Sequence, residues 1–150
     1  MKKKFLIISA FLVCFSLTTT MAQDAYERSV GIRGGFLTGA TYKHFLEFAG
    51  AIEGILGFSF PEDRRVVTLT GLYEHHFFVN YQTNLYAGGG LTLGTGNGNF
   101  RTHAEAIIGV EYVIERFPMS LSLDYKPAYN IFGNDFYFDE FAISVRYVIP

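Results

Sequence analysis

From residue 30 to the C-terminus, apolar side chains occupy alternate positions in runs of roughly ten residues, with charges and small polar groups between them. In residues 103–114, Ala104, Ala106, Ile108, Val110, Tyr112 and Ile114 share one parity, and His103, Glu105 and Glu111 share the other. The last run repeats the pattern: Phe141, Ile143, Val145, Tyr147 and Ile149 alternate against Glu140, Ser144 and Arg146. A two-residue period places the two sets on opposite faces of a β-strand. A chain built this way throughout is expected to close its sheet, with the apolar face against either a core or lipid.

Turn residues divide the chain into eight such strands, at residues 30–36, 40–46, 51–60, 66–78, 85–94, 103–114, 119–129 and 140–149. These lengths approach the about 9–11 residues that a tilted strand needs to cross a bilayer. The expected fold is all-β: a closed antiparallel up-and-down transmembrane β-barrel of eight strands. Connections two, four and six are then the short periplasmic turns, and the odd ones are outer loops. Leu37-Thr38-Gly39 forms the first outer connection. The Gly/Asn-rich run at 94–99 makes the third, expected with the fourth, 130–139, to be longest.

The N-terminus sets the compartment. Lys2-Lys3-Lys4 forms a positive n-region, residues 5–17 an apolar stretch too short to span a bilayer, and Thr20-Met21-Ala22 a small-residue cleavage site. The expectation is a signal peptide at 1–22, a barrel domain at 23–150, and export to the outer membrane of a Gram-negative bacterium. Cys14, the single cysteine, lies in the leader, so disulfide and thiol chemistry are not expected in the mature domain. Without the leader's three lysines, 9 of 12 basic residues stand against 14 acidic ones, a net charge of −5 that offers nucleic acid no basic face.

A soluble lipocalin-like carrier would show the same alternation turned inside out, with its apolar face around a hydrophobic ligand. The make-up of the polar face separates the two. Its charges are few, spread one or two to a strand and nearly balanced in sign, as a sealed lumen requires. Arg33, Lys43, Glu53, Glu74, His76, Glu105, Glu111, Asp124, Lys126 and Arg146 are expected to form a polar network in the lumen, joined by Thr68, Thr70, Ser120 and Ser122. Gly31, Gly35, Gly88, Gly90 and Gly109 share that face and would leave room for long neighbours. An eight-stranded interior is just wide enough to be filled by side chains, so a plug is expected instead of a pore. Aromatics gather near the strand ends: Phe77, Phe78, Tyr81, Tyr112 and Phe117 at one, and Phe58, Phe60, Phe100, Tyr129, Phe132, Phe136 and Phe138 at the other. Two interfacial girdles would look like this.

Five stretches carry a family likeness: Gly31-Ile32-Arg33, Tyr42-Lys43-His44-Phe45-Leu46, Leu69-Thr70-Gly71-Leu72-Tyr73-Glu74, Tyr86-Ala87-Gly88-Gly89-Gly90 and Leu121-Ser122-Leu123-Asp124-Tyr125-Lys126-Pro127. They resemble the small OmpA-like eight-stranded outer-membrane β-barrels, in particular short barrels of that type, over most of the mature chain. The resemblance implies a fold and a location, and no activity. It also implies outer-membrane lipid and the barrel insertion machinery as partners. Such barrels usually end on an aromatic that this machinery reads, whereas here Tyr147 is followed by Val148-Ile149-Pro150, a shifted signal.

Chemistry is sparse. His75 and His76 are adjacent on a strand, so they face opposite ways and do not chelate one ion together. No His/Cys/Asp/Glu spacing suggests zinc, and the Gly-rich run lacks the Lys-Ser/Thr and helix of a phosphate loop. Catalytic residues, metal and cofactor are all expected to be none. The alternative is a lipid A-modifying enzyme, whose nucleophile or base would come from His103, Glu105 and Ser59 at the outer ends of strands. Neither the amphipathic N-terminal helix of the palmitoyltransferases nor the C-terminal His-Ser pair of the deacylases appears. The expected protein is a monomeric barrel, not an enzyme, with a structural or interaction role through its outer loops.

Overall fold

A computed structural model describes residues 26–59, 65–96, 98–133, 136–137 and 140–149. The expected leader, the mature start at Gln23, and the girdle residues Phe60 and Phe138 lie outside the described residues. The alternation becomes ten strand segments: β1 Arg28–Gly35, β2 Thr38–Phe45, β3 Gly50–Ser59, β4 Val66–Phe78, β5 Thr83–Gly96, β6 Asn99–Ile114, β7 Met119–Tyr125, β8 Ala128–Asn130, β9 Phe136–Tyr137 and β10 Phe141–Ile149. Each pairs antiparallel with its neighbours, β5 with β6 and β1 with β10 among them, so the sheet closes.

β7 and β8 are one barrel strand interrupted at Lys126-Pro127. Both hold one register on β6, with Tyr125 opposite Ile108 and Ala128 opposite Glu105. Pro127 has no N–H to give a ladder, yet its carbonyl accepts from Ala106 N at 3.0 Å. β9 pairs with β8 and leads into β10. The result is an all-β, closed, antiparallel barrel of eight strands.

The registers fix how the strands lean. From Arg33, one way around the ladder runs through Gly39, Gly57, Thr68 and Gly94 to Arg101. The other way runs through Ser144 and Ser122 to Glu111. Both paths end on β6, ten residues apart (111 − 101). With strands about 4.8 Å apart and about 3.3 Å per residue, that displacement tilts them about 40° from the barrel axis.

Two connections are shorter than the sequence suggests. Thr38 and Gly39 are already in β2, opposite Phe58 and Gly57, so Phe36 and Leu37 alone turn the first hairpin. The Gly/Asn-rich run is mostly ladder: Thr95 faces Phe100 and Gly96 faces Asn99, leaving a two-residue tip at 97–98 with Gly98 at φ +79. Gly98 supplies the left-handed backbone that a tight hairpin needs, and the ladder on either side outweighs the loop-like composition. The third outer loop is therefore not among the longest.

At the opposite end, hereafter the lower end, the turn after β2 holds Phe48 and Ala49 at φ 63 and 62. A Cβ in left-handed backbone costs roughly 1–2 kcal/mol, which glycine avoids. Ala49→Gly is therefore expected to stabilise the barrel by about 1 kcal/mol in urea unfolding from lipid vesicles. No change or a loss would mean that the turn relaxes away from this geometry.

The faces separate sharply. Ile32, Leu69, Ile108 and Ile143 are 58–69% exposed, whereas Lys43, Glu53, Glu74, Glu111 and Arg146 are at 0%. The lumen also carries an apolar layer that the alternation did not announce: Ile55, Leu72, Tyr86 and Ile107 pack together there. Ile107 stands between Glu105 and Glu111 on β6, and Ile55 and Leu72 stand one inward position above Glu53 and Glu74. Exposed aromatics sit toward both ends: Tyr81, Tyr112 and Phe117 below, and Phe100, Phe132 and Phe136 above. Phe77, Phe78, Phe58 and Tyr129 are half-buried, while Phe48, Phe36 and Phe141 add exposed rings outside the expected girdles.

Candidate functional site

The ten lumen residues singled out in the sequence are all buried, and the structure divides them into two groups across the apolar layer. The lower group is built from five strands. Arg146 on β10 reaches Glu53 on β3 at 2.5 Å, Ser122 Oγ at 2.7 Å and Glu111 on β6 at 3.6 Å. Lys43 on β2 lies 2.7 Å from Glu74 and 3.6 Å from Glu53, with its ammonium 4.4 Å from the centre of the Tyr86 ring. Thr41 donates to Glu53, and Tyr26 and Ser120 donate to Glu111 at 2.6 and 3.1 Å. His76 puts Nε2 3.2 Å from Glu74 and stacks on Tyr86 at 5.1 Å. Phe45 and Tyr26, edge to face at 5.0 Å, close the lower mouth.

The upper group joins β1, β6 and the interrupted strand. Arg33 grips Asp124 through both guanidinium nitrogens, one at 2.9 Å, and Tyr86 donates to the same carboxylate at 3.0 Å. Lys126, just before the break at Pro127, lies 2.6 Å from Glu105 and 3.3 Å from Glu140. Glu140, outside the expected set, is 16% exposed and also lies 3.9 Å from Arg33. Its position at the start of the last strand is legible in the sequence but its partner is not: the pairing depends on the register that sets Glu140 beside Lys126, whose N–H donates to the Glu140 carbonyl at 2.8 Å. Bidentate and charge-assisted contacts of this kind offset the large desolvation of burying the ions.

The lumen glycines act differently from the expectation. Gly109 does yield to a side chain, since a Cβ there would lie 2.5 Å from the Tyr86 ring. At Gly31, Gly35, Gly88 and Gly90 the obstacle is the neighbouring strand's backbone. A Cβ on Gly90 would meet the Gly71 carbonyl at 1.9 Å. These four glycines make room for the neighbouring strand's backbone and not, as expected, for long side chains.

The residues considered for lipid A chemistry are not gathered. Ser59 pairs with Val66, whose other neighbour is Gly96, opposite Asn99, so its ladder meets β6 four residues from His103 and three strands away. Glu105 is committed to Lys126. His75 points away from His76 and lies edge to face with Phe77 at 4.9 Å. Among the described residues no group of three or more His, Cys, Asp or Glu is arranged to hold a metal ion.

No protein-family model and no curated protein matches the sequence. Among solved structures, the chain is similar to the N-terminal β-barrel domain of Pseudomonas aeruginosa OprF, with a TM-score of 0.66 and 13% identity over 81% of this chain and 95% of that one. It is also similar to Neisserial surface protein A, NspA, with a TM-score of 0.58 and 15% identity over 81% and 93% of the two chains. A chain described under de novo design of transmembrane β-barrels has a TM-score of 0.58 and 14% identity, over 86% of this chain and 100% of that one. At such identities the likeness is one of fold, and the fold is that of the small eight-stranded outer-membrane β-barrels.

Proposed function

We propose that the chain is a small integral outer-membrane β-barrel whose lumen is filled by side chains. Its role is structural or interactive, through its outer loops, and not enzymatic. The observation that carries this reading is the inverted polarity: buried charges line the interior while isoleucines and leucines cover the outside. Water on the outer wall would leave that apolar band unburied, and a monomeric soluble protein rarely exposes so large a continuous patch. Lipid suits it, as does the absence of free sheet edges along the closed wall. A hydrophobic-ligand carrier needs the opposite arrangement, with its apolar face inward. Surrounding lipid and the barrel insertion machinery are the partners this reading carries, and a monomer is its assembly state.

Membrane extraction with a heated and an unheated gel lane tests it. The protein is expected to stay with the outer-membrane fraction until detergent is added, and to run faster unheated than boiled, since a closed barrel resists detergent until heated. Release in aqueous buffer with identical migration in both lanes would overturn the membrane reading. Lipid A mass spectra unchanged by deletion of the gene are expected for the non-enzymatic role.

A further inference from the structure

The lower group of lumen charges does not balance. Glu53, Glu74 and Glu111 face Lys43 and Arg146, and all five side chains are at 0% exposure. The upper group has the same surplus, with Asp124, Glu105 and Glu140 against Arg33 and Lys126, but Glu140 opens it to the mouth. The lower surplus is shut in by the apolar layer above and by Phe45 and Tyr26 below. A net charge held out of water is far more costly than a neutral cluster, and closely spaced carboxylates relieve the cost by sharing a proton. The hydrogen bonding leaves room for one: the acceptors Glu53 Oε2, Glu74 Oε1 and Glu111 Oε2 make no hydrogen bond, nor do His76 Nδ1, Lys43 Nζ and Arg146 Nε, although Lys43 Nζ lies 2.7 Å from Glu74.

We propose that the sealed lower cluster binds one proton at neutral pH, and that Glu74 is the carboxyl that carries it. Glu53 and Glu111 share the Arg146 guanidinium and each accept a hydroxyl, from Thr41 and from Tyr26 with Ser120. Glu74 has neither. Its neighbours are Lys43, which also serves Glu53, and the ring of His76, whose Nδ1 lies 4.0 Å from Glu111. The remaining titratable group facing the cluster is Tyr86, whose hydroxyl is spent on Asp124. β1 and β7 present Ser29, Ser120 and Ser122 there. With Glu74 neutral, two carboxylates face two cations.

A proton bound in the folded barrel and absent from the unfolded chain makes stability fall as pH rises, because the folded state holds more protons. Between about pH 7 and 9 unfolded carboxyls are ionised, and the histidines, which still titrate at the lower end of that range, are common to the wild type and Glu74→Gln and cancel in the comparison. The experiment is urea unfolding in vesicles across that range for the wild type, Glu74→Gln and Glu53→Gln, with infrared spectra of the folded wild type in H2O and D2O. Expected are a deuterium-sensitive carbonyl band of a protonated carboxyl in the wild type, its loss in Glu74→Gln, and near-wild-type stability of Glu74→Gln at neutral pH. Relative to Glu74→Gln, the wild type's folding constant should drop up to tenfold per pH unit. Glu53→Gln, which removes a charged partner of Arg146, should be much less stable than Glu74→Gln. Absence of the band in the wild type overturns the proposal, and that measurement needs no variant to fold. So does equal damage from the two substitutions, or stability that follows sodium or potassium concentration instead of pH, which would put a metal cation in the gap.

Discussion

Arg146→Met is expected to destabilise the barrel by about 3–5 kcal/mol, the scale for removing one partner of a buried charge pair. Methionine replaces the stem of the arginine but none of its contacts to Glu53, Ser122 and Glu111. Two carboxylates at 0% exposure then lose their shared cation. Adding Glu53→Gln removes one of the stranded charges, so the double variant should be more stable than the sum of the singles. Urea unfolding in lipid vesicles measures all three. A single variant within about 1 kcal/mol of wild type, with additive behaviour in the double, would mean that water reaches the lower lumen and screens the pair.

The second large effect separates two adjacent isoleucines. Ile107 is 3% exposed in the lumen and Ile108 is 60% exposed on the outer wall. Ile108→Arg near the bilayer midplane is expected to cost roughly 2–4 kcal/mol in vesicles, because the guanidinium must stay in hydrocarbon or thin the membrane around it. Glu111→Gln should lose stability in a way that couples to Arg146, at 3.6 Å, and not to Arg33 or Lys126, whose carboxylates lie in the upper group. A harmless Ile108→Arg together with an uncoupled Glu111→Gln would turn the barrel inside out and favour the soluble carrier.

Much of this architecture is written in parity. Glu105, Glu111, Asp124, Lys126, Ser144 and Arg146 each fall on the positions between apolar residues, and a strand leaves them one face to occupy. The strand count follows from turn residues, and closure from an apolar face that runs to the last strand. What parity does not carry is register. Glu111 pairs with Arg146 instead of Arg33 because of the ten-residue displacement on closure, which is a sum over eight ladders and is written in no single strand. Parity also does not flag Ile55, Leu72 and Ile107: three apolar residues on a polar face read locally as noise, and become a layer only once β3, β4 and β6 are aligned. Glycine and asparagine suit both a long loop and a two-residue tip, so composition leaves the third hairpin open, and the ladder between Thr95 and Phe100 decides it.

The seam between β1 and β10 ties closure of the wall to the charges of the lumen. Among the described residues β1 is the first strand and β10 the last, and they meet over eight residue pairs from Arg28 opposite Ile149 to Gly35 opposite Ala142. The strand that closes the seam also delivers Arg146. A sheet lacking β10 would hold Glu53 and Glu111 without Arg146 and would leave two edges unpaired, and hydrocarbon penalises both. β10 removes both penalties at once, so closing the wall and neutralising the lower lumen are a single event.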